Sequence, residues 1–318
     1  MSSPPEESHH DDLVIHILTE IALSEQSTFN KVDLERLGIT VDGFEATDSD
    51  FLDDRRKCLF KPFHQELIKR WKIPDSAAAY ESVHDRLAIQ DVPRNSRLAS
   101  KPSEEEIADA TADVIAYLET NMRFLCRGRS RTPLHKQLGW TDIDYEEFTG
   151  GNGGLLSSTP GRCKGQTFAG WELQSLQEWW TKDSSDSDIL AGPSTQIVIS
   201  TDGIGKEDRL LLSELGAIVQ VITFRRIQPE FRHHRIFPVL ILSVFGPRHG
   251  RILQANYDRY SSRLELRISP IFSFLEKNNE SFDLFLRFMA SSPPETLGLD
   301  LSELSLEPQA ITRASEWD

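Results

Sequence analysis

At 318 residues with a net charge of -15, the chain is long enough for two domains, or for one large domain with extensions. Its global field excludes a protein that coats nucleic acid or anionic membrane through bulk charge, although a local basic face could still do so. A hydrophobic content of 38% beside a charged content of 27% predicts ordered cores separated by polar segments.

Residues 1–10 read as a disordered acidic tail with no apolar signal-peptide core. The longest apolar runs, such as FPVLILSVF at 237–245, are too short to cross a bilayer, so no membrane association is expected. Three cysteines far apart, Cys58, Cys126 and Cys163, fit a reducing compartment, and the expected location is intracellular, in cytoplasm or nucleus.

Residues 11–128 read as an all-helical region. Leu13, Ile17 and Ile21 recur at helical spacing, and Asn30 precedes a short helix ended by Gly38. Ser103 with Glu106 forms a capping box that opens a helix to about Cys126, with Ile107, Val114, Leu118 and Met122 along one seam. Residues 129–194 read as Gly/Ser-rich loops around an amphipathic segment carrying Trp171, Trp179 and Trp180, which is expected to dock on a domain or a partner.

Residues 195–292 read as an α/β domain of helix, three strands and helix, followed by an acidic tail at 293–318. Within it TQIVIS is a strand, and EDRLLLSELGAIVQVITFRRI is a long helix whose second half, 217–224, also fits a strand. Overall the expected fold is α+β: an all-helical N-terminal region, then a small antiparallel sheet flanked by helices. If 250–258 and 263–269 form a hairpin, Leu253, Ala255 and Tyr257 share a face with Leu264, Leu266 and Ile268. The opposite face then carries Gln254, Asn256 and Asp258 with Arg263, Glu265 and Arg267.

Five arrangements could carry chemistry or binding. Ser200 to Lys206 sits between a strand and a helix as a phosphate loop would, but Ser200 replaces the first glycine, and Glu207 and Asp208 would repel phosphate. Nine arginines (Arg225, Arg226, Arg232, Arg235, Arg248, Arg251, Arg259, Arg263 and Arg267) face three acids between 225 and 267. They could bind nucleic acid or a phosphorylated partner, or pair with the fourteen acids of residues 1–56. Cys163 lies in a Gly-rich basic loop but has no assigned base and reads as a surface thiol. The run Leu297-Gly-Leu299-Asp-Leu301 could add a strand to this sheet or to a partner's.

The fifth is the polar hairpin face. Residues 206–290 resemble the layout of the PD-(D/E)xK nucleases, with Asp258 on the middle strand and Glu265 and Arg267 on the third. The resemblance implies Asp258 and Glu265 as Mg²⁺ ligands, Glu214 as a further carboxylate, and Arg267 at the lysine position, where a permanent cation cannot act as a base. Residues 195–290 also resemble a group of uncharacterised intracellular proteins of filamentous fungi, a likeness that implies no activity. The leading functional expectation is a non-enzymatic interaction or regulatory protein with a protein partner and no cofactor. The alternatives are a PD-(D/E)xK nuclease using Mg²⁺, and nucleic-acid binding through the arginine face.

Overall fold

The computed structural model describes residues 13–48, 52, 54, 57–78, 80–92, 103–127, 133–150, 171–182, 188–201, 203–277 and 280–294. The expected tail, the Cys163 loop and the Leu297–Leu301 run lie outside them. Among the described residues the chain opens with α1 (Leu13–Leu23), β1 (Thr28–Asn30), α2 (Lys31–Arg36) and β2 (Ile39–Gly43). Short elements follow: α3 (Gln65–Ile68), β3 (Trp71–Lys72), α4 (Asp75–Ala78) and α5 (Glu81–Leu87), then the long α6 (Glu104–Phe124). Next come β4 (Cys126–Arg127), α7 (Leu134–Gln137), β5 (Trp140–Asp142), α8 (Tyr145–Thr149), β6 (Trp171–Lys182), β7 (Asp188–Thr201) and β8 (Arg209–Leu211). The chain closes with α9 (Leu212–Ile227), β9 (Ile236–Phe245), β10 (His249–Asp258), β11 (Arg263–Ile268), β12 (Phe272–Ser273) and α10 (Glu280–Met289).

The expected small antiparallel sheet is instead a large mixed one. It has eight strands in the order β2-β11-β10-β9-β7-β6-β5, with β12 also paired to β10. Two pairs, β7 with β9 and β11 with β2, are parallel. The N-terminal region is not all-helical either, because β2 is a strand of this sheet, β1 pairs with β8 and β3 pairs with β4 in two small separate ones. The tryptophan-rich segment is the twelve-residue strand β6, and β7 begins inside the stretch read as Gly/Ser-rich loops. Residues 217–224 are helical, within α9.

Side-chain alternation sorts the sheet into two cores. On one face Ile197, Val239, Ile241, Leu253, Ala255 and Leu266 pack beneath α9, and α1 adds Val14, Ile17 and Ile21. The other face sets Val198, Leu240, Leu242, Val244 and Ile252 against α6 and α10. Strand β9 is buried from Phe237 to Phe245, which explains its unbroken apolar run. The parallel β7–α9–β9 passage is a crossover unit, which a parallel pair requires.

Local chemistry fixes the helix ends. The Ser103 hydroxyl accepts the Glu106 N–H at 3.2 Å, and the Glu106 carboxylate accepts the Ser103 N–H at 2.7 Å. Two glutamines tie the second face to its cover. Gln254 Oε1 accepts the backbone N–H groups of Leu59 and Phe60 at 2.7 and 3.1 Å, and Gln196 donates to the Met289 carbonyl at 3.2 Å. Each arrangement satisfies polar groups that burial would otherwise penalise.

At the turn between β9 and β10, Arg248 adopts a left-handed backbone (φ 55°). Its side chain offsets that strain by donating to the Gln90 carbonyl at 2.5 Å and to Asp113 at 2.9 Å. Beside it, Gly246 is where α6 meets the sheet: a Cβ there would lie 2.1 Å from Ile107 Cγ2. Gly246→Ala is therefore expected to destabilise the protein by about 1–3 kcal/mol through overpacking. Urea unfolding checks this, and an unchanged midpoint would show that α6 yields freely.

Candidate binding cleft

The hairpin register is the one its alternation dictates: Leu253 faces Ile268, Ala255 faces Leu266, and Asp258 faces Arg263. Asp258, Glu265 and Arg267 accordingly share one face of β10 and β11. Glu214 does not join them. It sits on α9, which covers the opposite face together with Leu253 and Ala255. The sheet separates the carboxylates that the nuclease layout would bring to one metal ion. Among the described residues, no three His, Cys, Asp or Glu side chains converge so as to hold a metal.

Glu214 is fully buried and engaged on all sides. Its Oε1 accepts Arg251 Nε at 2.8 Å, and its Oε2 accepts both Arg251 Nη2 and the Leu211 N–H, the latter at 2.8 Å. The carboxylate thus occupies the N-terminus of α9, the place where a phosphate would have to sit. The Ser200–Lys206 loop is tied down as well. Arg251 Nη1 donates to the Lys206 carbonyl at 3.1 Å, and the Gly246 N–H donates to Gly203 at 3.0 Å. A Cβ on Gly205 would lie 2.4 Å from the Phe245 ring, so the glycine serves close packing.

Asp258 and Glu265 each hold an arginine. Arg235 donates to both Asp258 oxygens, at distances from 2.5 to 3.0 Å, and Arg263 lies 3.2 Å from Glu265. The Arg235 guanidinium, with backbone N–H groups from Tyr260 and Ser261, holds the Asp258 carboxyl well below the usual carboxylate range. The same contact raises Arg235.

The remaining arginines are mostly internal bolts. Arg225 pairs with buried Glu178 and donates to the Pro193 carbonyl at 3.1 Å, its guanidinium lying between Phe148 and Phe231. Arg259 donates to the carbonyls of Arg232 and Arg226, closing the hairpin tip on the end of α9. Arg226 is half-buried and hydrogen-bonded to Tyr257, and burial pushes its guanidinium down. Among the described residues, Arg225, Arg235, Arg248, Arg251 and Arg263 pair with Glu178, Asp258, Asp113, Glu214 and Glu265 respectively, all of which lie beyond residue 56. Arg232, His233, His234, Arg235 and Arg263 are exposed, and Arg235 lies over the ring of Tyr260 at 5.8 Å.

An open cleft of about 710 Å³ lies at the edge of the sheet, where β2 and β11 end beside the β1–β8 pair. Phe29, Leu34, Val41, Leu210 and Ile268 give it an apolar lining. Five carboxylates (Asp42, Glu45, Asp48, Glu207 and Asp208) line it against two cations, Lys31 and Arg209. All five carboxylate residues are exposed. Glu207 accepts the Ile271 N–H at 3.1 Å, and Arg209 lies 3.8 Å from Asp208. Sequence reasoning missed this cleft: Glu207 and Asp208 registered only as residues that would repel phosphate. Asp42 and Glu45 meet them only because β2 joins the far end of the sheet.

Comparison with protein-family models, with curated proteins and with solved structures gives no match to this chain. Its function is therefore argued from its sites alone.

The Asp258–Arg235 contact sets a pH dependence with a defined sign. Because the folded carboxyl is depressed, its contribution is fully present above the ordinary carboxylate pKa of about 3.9, and is lost only as pH falls through the lower folded value. A ¹³C-carboxyl titration is expected to find Asp258 still ionised at about pH 3, and Arg235→Ala is expected to move its transition upward. An Asp258 titrating at the ordinary value in the intact protein would contradict the pairing.

Proposed function

We propose that this chain is a non-enzymatic interaction protein of the cell interior, and that it docks a protein partner in the cleft at the β2 edge. One observation carries the reading. Glu214, Asp258 and Glu265, which a nuclease would need, are tied to arginines and divided between two faces of the sheet, whereas the cleft keeps exposed carboxylates over an apolar lining. A cleft of this size, with apolar side chains among its lining and charged groups that could orient a partner, fits a binding site. The buried free thiols of Cys58 and Cys126 support a reducing compartment. No helix among the described residues is long and apolar enough to cross a membrane. The reading requires no cofactor, and Mg²⁺ enters only with the nuclease alternative.

A second reading, nucleic-acid binding, rests on the corner where the exposed Arg235 guanidinium lies 5.8 Å from the ring of Tyr260, itself 72% exposed. An aromatic face beside cations suits a single-stranded nucleic acid. Its footprint is small, because Arg225, Arg248 and Arg251 are turned inward and nearly or fully buried.

The experiment compares quantitative affinity capture from the native cell using the wild type and a cleft variant, Asp42→Lys/Glu45→Lys/Asp208→Lys. The expected result is that the variant melts as the wild type does but loses a partner the wild type retains. Identical capture profiles would refute the cleft as the docking site. Mg²⁺-dependent cleavage of DNA or RNA that disappears in Asp258→Asn would overturn the non-enzymatic reading altogether.

A further inference from the structure

Strand β2 is an edge of the main sheet, and among the described residues no strand pairs with its outer side. The Phe44 N–H donates to the Ile268 carbonyl at 3.1 Å, and β2 runs parallel to β11 with Asp42 opposite Arg267. In a parallel ladder both main-chain groups of a residue point to the same neighbour. Thr40, Asp42 and Phe44 thus bond toward β11, and Ile39, Val41 and Gly43 direct their N–H and C=O groups away from it. No described strand pairs on that side. Val41 and Gly43 line the cleft. The opposite edge, β5, is only three residues long. An unpaired row of donors and acceptors is a template for another strand.

Resting on the docking reading above, we propose that β2 receives an added strand from its partner, and that this strand alternates basic and apolar side chains. The main chain supplies the affinity of such an addition, and alternate side chains its specificity. Ile39 and Val41 lie on the sheet face that carries Leu264 and Leu266, so apolar residues of the incoming strand meet them there. Asp42 points to the other face, and Glu45 and Asp208 border the same cleft, so the intervening residues meet negative charge. With five carboxylates against two cations in the cleft, an acidic or phosphorylated segment is disfavoured.

The test uses the full chain and two labelled, capped hexapeptides, one alternating Arg and Val and one alternating Glu and Val. The Arg/Val peptide is expected to bind with affinity that falls as salt rises, and to slow amide exchange at Val41 and Gly43 by at least about tenfold. Exchange at Thr40 and Asp42, already bonded to β11, is expected to change little. Val41→Pro, which removes one outward donor at an edge that tolerates proline, is expected to weaken binding by about tenfold. Binding without protection at Val41 and Gly43 overturns strand addition and leaves docking in the cleft intact. Failure of the Arg/Val peptide, while Asp42→Lys/Glu45→Lys/Asp208→Lys still loses a captured partner, overturns the basic-segment class alone. If that cleft variant also keeps every partner, the docking reading falls with it.

Discussion

Two opposite charges with no access to water, Glu214 and Arg251, set the arrangement of this protein. Moving either one alone into an apolar interior costs several kcal/mol, so each must find its partner wherever the chain folds. The pair joins three elements in one contact: the first turn of α9 through the Leu211 N–H, the β7–β8 loop through the Lys206 carbonyl, and β10 through the arginine stem. It fixes where the crossover helix begins over the sheet, and places the loop whose next residues, Glu207 to Arg209, border the cleft.

The other arginines extend the same logic outward. Arg225 fastens the far end of α9 to β6 and to the β7 segment at Pro193, while Arg235 and Arg259 brace the hairpin tip. A locally basic stretch in an acidic chain reads from sequence as a surface for anions. In the fold much of that charge is neutralised across elements, which leaves the acidic character of the chain to its exposed edge. Arginine suits this role because its planar guanidinium can satisfy a carboxylate and a carbonyl at once.

How much of this was legible depends on contact range. The β10–β11 hairpin, its register and its two faces followed from a period of two over neighbouring residues, and the α6 start followed from Ser103 and Glu106. The size of the sheet did not. β2 pairs with a strand more than 200 residues away, and in its five residues, ITVDG, only three β-favouring residues precede Asp-Gly, too short a run to mark a sheet strand by itself. The second half of β7, TQIVIS, was legible, but its first half was hidden because Gly192 and Pro193 mark a loop when no neighbour is known. In β6 the tryptophans suggested an amphipathic docking segment, yet Trp179 is core, packed edge-on against Trp140 at 5.1 Å. Residues 217–224 fitted strand or helix because α9 is buried between the sheet and α1 and lacks a polar stripe. For the candidate site, Asp258, Glu265 and Arg267 do share a face, but no local pattern reveals that Glu214 lies across the sheet from them, or that Asp42 meets Asp208 at one cleft.

The central claim is that the ionisable residues on this sheet hold the fold together. A double-mutant cycle of Glu214→Met and Arg251→Met, followed by urea unfolding, tests it most directly. Each single change is expected to cost about 3–5 kcal/mol by stranding a buried charge. The double variant is expected to cost at least about 2 kcal/mol less than their sum. Single costs that simply add, or that stay near zero, would contradict the account and return Glu214 to the list of residues free to serve chemistry.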